Sequence, residues 1–430
     1  MANRVLGLKL EENYGVESAS NPDFHVEVSK SKASLKTEPL TYKGGGRSIK
    51  KAKAGALKPE ASFDLKTELK TIGYFLMAFL GNYKFTSGGS GPNIHEFWGE
   101  DNSELPSFTG WATFDYFMKQ LFGMVCDTLK LDVSDEFLDG SCEWKYKTEK
   151  KISEVPSPAN QKLIPDSILI AFYDIALELD NAAPPGVVSK FSFDGKNNLN
   201  TDKTIGIGSR APQKKPNAQQ REIKITLEST LVPETVAIIE KAEYGASGDS
   251  PSECKLYKLP MKLTIDFCED STDKLTIFFP ECLVSVEYEA SDADEMDAKF
   301  ELQAISTKKI TLADDTQILT DIYAKLENDQ PEIKGGVAGT STVSFTVKDN
   351  ASTPAAVVGA TLKLTNRQTG ATLSAVAATN AQGQCVVNNV PYGRYDVELK
   401  NNSSVVVSTN PSIVSVNENT ESLNLTANTN

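Results

Sequence analysis

Apolar and polar residues alternate along several short stretches in the first third of the chain. An apolar face with a period of two residues is what a half-buried β-strand requires. We therefore expect a β-rich region at the N-terminal end. The alternating stretches are 24–28, 62–66, 128–133 and 142–146.

Between the second and third of these stretches the apolar spacing changes to that of a helix. Large apolar residues recur three or four positions apart over 69–80, and Gly81 follows as a C-cap. This pattern predicts a short amphipathic helix that packs on the sheet. Its apolar positions are Leu69, Ile72, Phe75, Leu76, Phe79 and Leu80.

A second region repeats the same order of elements. Segment 181–190 aligns with 21–30 at an Asn, a Val, a Ser and a Lys. A strand at 223–227 then aligns with 62–66 after a small shift, and a helix beginning near Pro233 aligns with the first helix. The repetition predicts a duplicated unit. In the same register, Thr201, Lys203 and Gly206 align with Thr41, Lys43 and Gly46.

A third region begins after a Gly- and Pro-containing connector at 329–340. Beyond it, short Val- and Thr-rich stretches are separated by turn signals, which is typical of a small β-sandwich of roughly seven strands. At 430 residues the chain exceeds the usual single-domain limit of roughly 250 to 300. We expect units at 1–156 and 157–334, a linker at 335–342 and a module at 343–430.

The overall composition is that of an ordinary soluble protein, with 40% hydrophobic residues and a mean hydropathy of −0.30. The net charge of −14 argues against a protein whose main role is to hold nucleic acid, because Lys and Arg drive phosphate binding. An acidic wall around DNA would instead repel the phosphates. The N-terminus shows no signal-peptide core and the longest apolar run, 72–80, is short. We therefore expect assembly in the cytoplasm without membrane insertion.

The sequence shows no constellation of residues for catalysis or for a metal or cofactor. The two histidines, His25 and His95, lack an evident triad or ligand set. The six cysteines show no zinc-like spacing, so they are either half-buried thiols or a disulfide framework. The acidic stretch 292–297 lacks the pattern of an EF-hand, which favours a solvated turn over a calcium site. We expect no enzymatic activity.

Two loops combine glycine with cations but lack the order of a Walker loop. Both are either solvated loops or contacts to another copy of the chain. The cations of the first loop are Lys43, Arg47, Lys50, Lys51 and Lys53, and those of the second are Arg210, Lys214 and Lys215.

In their order along the chain, five segments of the first two regions resemble the tail tube proteins of long-tailed bacterial viruses. That resemblance implies a mainly β fold of two tandem tail-tube β-sandwich units, each with a flanking helix. Sheets of neighbouring copies would join into a barrel around a channel wide enough for DNA. The segments are 8–15, 79–81, 106–109, 123–131 and 275–280.

The resemblance also implies the partners and the location of the protein. Two fused units would form homotrimeric rings with pseudo-six-fold symmetry, stacked into the tube of a non-contractile tail in the virion. The rings would meet tape measure, tail terminator and distal tail proteins, and double-stranded DNA would pass without specific binding. The basic loops would touch the adjacent ring, and Glu287, Glu289 and Asp292 would charge the lumen.

The third region resembles Ig-like modules of the transthyretin-like, or prealbumin-like, and carboxypeptidase-regulatory-like kind. Its matching segments are 343–349, 358–362, 379–383 and 393–399. Such modules occur as outward decorations on tail tubes and equally on adhesins. A surface adhesin or pilin-like protein that binds carbohydrate is therefore the main alternative, and a glycan hydrolase with an accessory module is the third.

Overall fold

The structure is a computed structural model of the chain. It describes residues 4–16, 22–43, 47–89, 91–100, 104–152, 163–164, 167–184, 186–244, 256–267, 272–289, 297–312, 315–333, 340–351, 354–366, 372–375, 377–391, 393–401, 406–410, 413–416 and 422–427. The described fold is mainly β, as the sequence predicts, with two α-helices among these residues.

The chain divides into two compact units, one of Met1–Leu8 with Pro22–Pro331 and one of Lys9–Asn21 with Glu332–Asn430. The first set of elements in the larger unit is β1 (Val5–Leu10), β2 (Phe24–Glu27), β3 (Lys30–Tyr42), β4 (Lys51–Lys66), α1 (Ile72–Leu80), β5 (Asn82–Thr86), β6 (Asn93–Trp98), β7 (Phe108–Phe114), β8 (Phe117–Val133), β9 (Asp139–Lys145) and β10 (Thr148–Ile152).

The second set follows a short 3-10 turn at Phe172–Asp174. It consists of β11 (Ile175–Leu179), β12 (Val188–Lys196), β13 (Glu222–Thr230), α2 (Pro233–Tyr244), β14 (Lys258–Asp266), β15 (Lys274–Glu289), β16 (Asp297–Ala304), β17 (Lys309–Thr311), β18 (Gln317–Leu319) and β19 (Tyr323–Asn328).

The two sets pair their strands in the same pattern. In the first set, β7 lies between β1 and the first half of β8, and β10 pairs on the other side of that half. In the second set, β14 lies between β11 and the first half of β15, and β19 pairs on its other side. The second halves of β8 and β15 continue into β9–β4–β3 and β16–β13–β12 respectively. The larger unit is therefore an internal duplication.

The first halves of the long strands β8 and β15 share a bulge, and β8 then has one residue more than β15, because the ladder to β9 is irregular between Cys126 and Thr128 whereas the ladder from β15 to β16 is regular. The ladder from β7 is irregular between partners Leu121 and Met124 of β8, and the ladder from β14 is irregular between Phe279 and Cys282 of β15. A bulge belongs to one place in one strand pair, so its recurrence aligns Met124 with Cys282 in the first halves. After the extra residue of β8, Asp132 aligns with Glu289.

Matching contacts align β3 with β12. Lys30 pairs with Asp64 across the ladder, and Lys190 pairs in the same way with Glu228. Both lysines form ion pairs with these partners, at 3.4 and 2.9 Å. The preceding serines, Ser29 and Ser189, donate hydrogen bonds to the backbone carbonyls of the same two acidic residues. This alignment is the one that the sequence predicts for 21–30 and 181–190.

The alignment predicted for the following strand is wrong in register. Sequence alone places 223–227 beneath 62–66, whereas the ladders place it beneath 59–63, because Asp64 corresponds to Glu228. The shift in register arises because the segment that connects the two strands differs between the two sets. In the first set β3 and β4 form a long hairpin closed by 43–50, and in the second set an extended loop, 197–221, replaces most of that hairpin. Thr201, Lys203 and Gly206 lie in this loop, whereas Thr41 lies in β3.

The second half of β8 also pairs with β12 and so joins the two sets of strands. Thr128 to Val133 of β8 run antiparallel to Phe191 to Lys196 of β12, with Leu131 opposite Phe193. The result is one continuous eight-stranded sheet in the order β3–β4–β9–β8–β12–β13–β16–β15.

Helix α1 covers the apolar face of this sheet beside the joint. Its predicted start at Leu69 moves to Ile72, and it ends as predicted at Gly81, whose N–H bonds to Met77 at a φ of 89°. The Phe79 ring meets Phe193 of β12 edge to face. The buried Asn197 side chain donates to the carbonyls of Phe79 and Cys126, at 3.0 and 3.1 Å, so residues of the second set complete the end of a helix of the first.

The smaller unit contains a two-sheet sandwich with an apolar core. One sheet has the order β23–β20–β28–β26, and the other has β22–β21–β24 with β25 and β27 paired to β24. Its core includes Phe345, Leu362, Leu364 and Tyr395. The strands are β20 (Thr340–Asp349), β21 (Thr361–Asn366), β22 (Thr372–Ser374), β23 (Gln384–Pro391), β24 (Gly393–Lys400), β25 (Val406–Val407), β26 (Thr409–Asn410), β27 (Ile413–Val416) and β28 (Ser422–Ala427).

Four cysteines are described, and all four are buried free thiols. Burial raises the pKa of Cys142 and of Cys282 to about 12 in each case. Cys254 and Cys268 lie outside the described residues. Within the part of the chain that the structure describes, no helix has the length and apolar character needed to cross a membrane.

Replacing Gly195 should destabilise the larger unit. A Cβ on Gly195 would lie 2.4 Å from the Phe79 ring, which is fully buried. Because the ring is held in the core, we expect Gly195→Ala to reduce the free energy of unfolding by about 1–3 kcal/mol. Urea unfolding gives the value from the shift in midpoint at constant slope.

The matched control is Gly91→Ala, where the nearest atom to the added Cβ would be 3.6 Å away. Its stability should stay within about 0.5 kcal/mol of the parent. Equal effects of the two substitutions would contradict the packing assigned to Gly195.

The buried His95 should make stability depend on pH. Its Nδ1 lies 2.9 Å from the Tyr83 hydroxyl and its Nε2 lies 3.2 Å from the Gln330 carbonyl oxygen. Burial lowers its pKa from 6.5 to about 4. The unfolded chain therefore binds the proton first as the pH falls, so stability is fully present above pH 6.5 and is lost down to about pH 4.

This loss can be measured by comparing the parent with His95→Gln. A shift of one pKa unit corresponds to about 1.4 kcal/mol, so the parent should lose roughly 3 kcal/mol more than the variant between pH 7 and pH 4. Urea unfolding at several pH values gives both profiles. Parallel profiles would show that His95 does not titrate in this way.

Candidate assembly surface

One face of the eight-stranded sheet is apolar and buried, and the opposite face carries charges of both signs. Along β13, Ile223, Ile225 and Leu227 are buried, while Lys224 and Glu228 lie on the other face. The same alternation holds in β16, where Phe300 and Leu302 are buried and Glu301 is exposed. We call the polar side the charged face.

Cations and carboxylates on the charged face pair across neighbouring strands. Lys145 of β9 lies 2.8 Å from Glu60 of β4, and Lys66 lies 2.8 Å from Asp139. Pairing also crosses the joint between the two sets, where Lys130 of β8 lies 3.5 Å from Asp194 of β12. Ser192 donates a hydrogen bond to Asp132 at the same joint.

Glu60 of β4 accepts hydrogen bonds from two lysines of this face, Lys36 and Lys145. Burial opposes its ionisation, but hydrogen bonds from Lys145 and Lys36 outweigh that effect and lower its pKa. Exposed pairs of this kind each contribute about 0–1 kcal/mol. The network therefore does little for stability, and its main physical property is the cancellation of charge along the face.

The three carboxylates predicted for a lumen wall differ in where they lie. Glu287 lies on the charged face and is exposed, and Lys299 lies 3.5 Å from it. The backbone of Glu289 pairs with Asp297 at the end of β15. Asp292 lies outside the described residues. Glu287 is thus part of a mixed-charge surface, since Lys299 also lies 2.6 Å from Glu301.

The outer edges of the eight-stranded sheet are β3 and the second half of β15. Among the described residues, β3 pairs only with β4, and the last residues of β15 pair only with β16. Apolar side chains are exposed at both edges. Tyr288 of β15 is 53% exposed although its counterpart Leu131 is 3% exposed, and Leu35 of β3 is 36% exposed.

The hairpin formed by β3 and β4 holds the first basic loop. Lys43, Arg47, Lys50, Lys51 and Lys53 are all exposed, and 44–46 lie outside the described residues. Large apolar side chains beside these cations are exposed as well, with Leu40 at 66% and Tyr42 at 62%. The structure therefore brings the predicted cations of the first loop together at one hairpin tip.

The second basic loop packs against the middle of that hairpin. Arg210 donates a hydrogen bond from Nε to the Gly55 carbonyl at 2.9 Å, and its own carbonyl accepts one from Leu57 N–H at 2.7 Å. Lys215 lies 4.0 Å from Glu104, and Lys214 is exposed. The two loops are thus connected within one chain at Arg210.

Both histidines are buried in strands, His25 in β2 and His95 in β6. Across the described residues, no group of His, Cys, Asp or Glu has an arrangement that could hold a metal ion.

The pairing of β8 with β12, and the edges that this pairing leaves open, could not be predicted from the sequence. The signal was present in part, because Ser29 and Lys30 recur as Ser189 and Lys190 and so mark β3 and β12 as equivalent strands. The missing information was long-range, because the pattern of apolar and polar residues in a strand does not specify which strand will pair with it.

Comparison with known proteins concerns the C-terminal region. Residues 342–430 match the family described as SpaA, a prealbumin-like fold domain. This match covers all but the first two residues of β20 and all of β21 to β28, which together form the sandwich of the smaller unit. No curated protein matches the chain. The chain therefore carries a C-terminal prealbumin-like domain next to a duplicated β unit.

Proposed function

We propose that the protein is a structural subunit that polymerises into the tube of a long, non-contractile viral tail. The observation that supports this best is the joint between β8 and β12. It couples two equivalent strand sets side by side, and the same two kinds of edge are left open at the ends of the sheet. A chain built in this way can add further copies without any new type of contact.

Three copies would bring six equivalent strand sets into one ring. A head-to-tail contact between copies closes into a ring when its rotation divides a full turn. The resemblance to tail tube proteins suggests six-fold pseudo-symmetry, which two sets per chain would satisfy as a trimer. The prealbumin-like domain would then be an appended decoration, and tape measure, terminator and distal tail proteins would be the other partners.

The charged face is suited to line a channel for DNA. An extended cationic surface would hold phosphates strongly. Here the lysines of the face lie beside carboxylates, as Lys145 lies beside Glu60 and Lys130 beside Asp194. A duplex passing along such a wall would meet little net attraction, so a mixed-charge wall would serve the purpose that we expected of an acidic one.

Negative-stain electron microscopy of the purified full chain tests this proposal. We expect hollow tubes, or rings at low concentration, because the open edges of β3 and β15 become paired only in a polymer. Symmetry averaging of end views should show three major repeats. Persistent monomers over a wide range of salt and protein concentrations would contradict the proposal.

The basic hairpin tip should control stacking of rings. Changing Lys50, Lys51 and Lys53 together to Glu should shorten or abolish tubes, because these exposed cations would otherwise meet carboxylates of the adjacent ring. Rings should persist, since the three lysines lie at the hairpin tip beyond the strand joint. Microscopy of tube length distributions measures the effect.

The matched control reverses Lys308 and Lys309, which are exposed lysines at the β17–β18 hairpin. This double variant should form tubes of normal length. Normal tubes from the triple variant would remove the hairpin tip from the stacking contact.

A carbohydrate-binding adhesin is the second candidate, and the prealbumin-like match at 342–430 is the observation that favours it. A glycan array with the full chain distinguishes the two. Binding by a chain that stays monomeric would support the adhesin.

A further inference from the structure

We infer that the second half of β15 in one copy pairs with β3 of the next copy, in the register that β8 and β12 use within the chain. This inference deepens the proposed function, because it names the joint by which a ring would form. It is drawn from the duplication, in which β15 is the counterpart of β8 and β3 is the counterpart of β12.

The register follows from the ladders already described. Asp132 and Glu289 occupy the same position, because each pairs with the first residue of the next strand, Asp139 or Asp297. Lys30 corresponds to Lys190, so Lys32 corresponds to Ser192. Within the chain, Asp132 lies opposite Ser192.

Transferring this ladder to two copies sets four pairs of residues opposite each other. Each pair lies on antiparallel strands, as in the ladder between β8 and β12. The pairs are Glu289 with Lys32, Tyr288 with Ala33, Glu287 with Ser34, and Val286 with Leu35.

The electrostatic character of the transferred pairs is favourable. At the internal joint, Ser192 donates a hydrogen bond to Asp132. Between copies, the exposed Glu287 lies opposite Ser34 and diagonal to the exposed Lys32 and Lys36, and opposite charges at such neighbouring positions favour pairing on a sheet face. The open edge of β3 also has Lys30 and Lys36 on this face, whereas β15 has Glu287.

The apolar pair of Tyr288 with Ala33 combines a large side chain with a small one. Inside the chain, Leu131 lies opposite Phe193, and both are buried. Between copies, the large side chain is Tyr288 and the residue opposite it is Ala33. A neighbouring β3 would cover Tyr288, which is 53% exposed in the single chain.

Helix α2 fits the same scheme. Its counterpart α1 is almost wholly buried and touches Phe193 across the internal joint. In α2, Thr235 and Ile239 are buried but Val236 is exposed. In the proposed ring, the strand that packs beside α2 at the joint belongs to the next copy.

Disulfide trapping in a mixture of two single variants tests the joint. One chain carries Ser34→Cys and the other carries Glu287→Cys. Residues directly opposite on antiparallel strands have Cα atoms about 4.5–5.5 Å apart, which is within the range of a disulfide. We expect covalent dimers when the two variants are mixed and mildly oxidised.

The pattern of products separates this joint from other contacts. A head-to-tail contact links Ser34→Cys chains only to Glu287→Cys chains, so neither variant alone should form dimers above background. A two-fold pairing of β3 with β3, or of β15 with β15, would instead link chains of one variant to each other, and that result would overturn the inference. The parent chain gives the background from its native thiols.

Two further pairs control for register and for chemistry. Ser285 lies two residues from Glu287 on the same face. A mixture of Ser285→Cys with Ser34→Cys should therefore cross-link only at background level. If this mixture gives as many dimers as the mixture with Glu287→Cys, the register is wrong. The internal pair Lys130→Cys with Asp194→Cys in one chain should form an intramolecular disulfide, because these positions face each other. Circular dichroism of each variant checks that it folds.

The outcomes distinguish the joint from the proposed function. Tubes in the microscope without cross-links from Ser34→Cys and Glu287→Cys would refute the joint and leave the tube intact. Monomers by microscopy together with no cross-links would refute both. In a chain that carries both cysteines, covalent products that stop at the trimer would agree with a closed ring of three.

Discussion

The larger unit depends on one contact, the antiparallel pairing of β8 with β12. Backbone N–H and C=O groups on an open strand edge need partners, and each edge left open invites another strand. The second half of β8 meets this need with the first strand of the following repeat. Helix α1 then packs on the joint through Phe79, and the Asn197 side chain donates a hydrogen bond to the Phe79 carbonyl near the end of the helix.

The same contact explains why equivalent positions differ so much in exposure. Leu131 is buried by β12, whereas Tyr288 at the matching place in β15 is mainly exposed. Likewise, Phe193 fills the core while its counterpart on β3 is Ala33. A duplicated chain cannot make its two halves identical, because the outer strand of one half has a neighbour that the other half lacks.

Local features of this fold could be predicted from sequence, and non-local ones could not. Alternation located the strands at 24–28, 62–66 and 128–133, and helical spacing with Gly81 located the end of α1. The repetition of Ser29 and Lys30 in Ser189 and Lys190 gave the correct alignment of β3 with β12. Beyond these residues the alignment failed, because the loop 197–221 replaces a hairpin and so shifts the next strand. Register is set by the pairing of strands and by the connection between them.

The charged face shows why net charge alone is a poor guide to a surface. The chain carries a charge of −14, and that value taken alone predicts an acidic wall. The sheet instead sets Lys130 against Asp194 and Lys299 against Glu287 and Glu301, so positive and negative charges alternate along it. Interactions between such exposed charges are screened within about 10 Å at 0.1 M salt, and a phosphate backbone would therefore meet a nearly neutral surface. Low affinity for a passing polyanion can arise from the pairing of charges as well as from an excess of carboxylates.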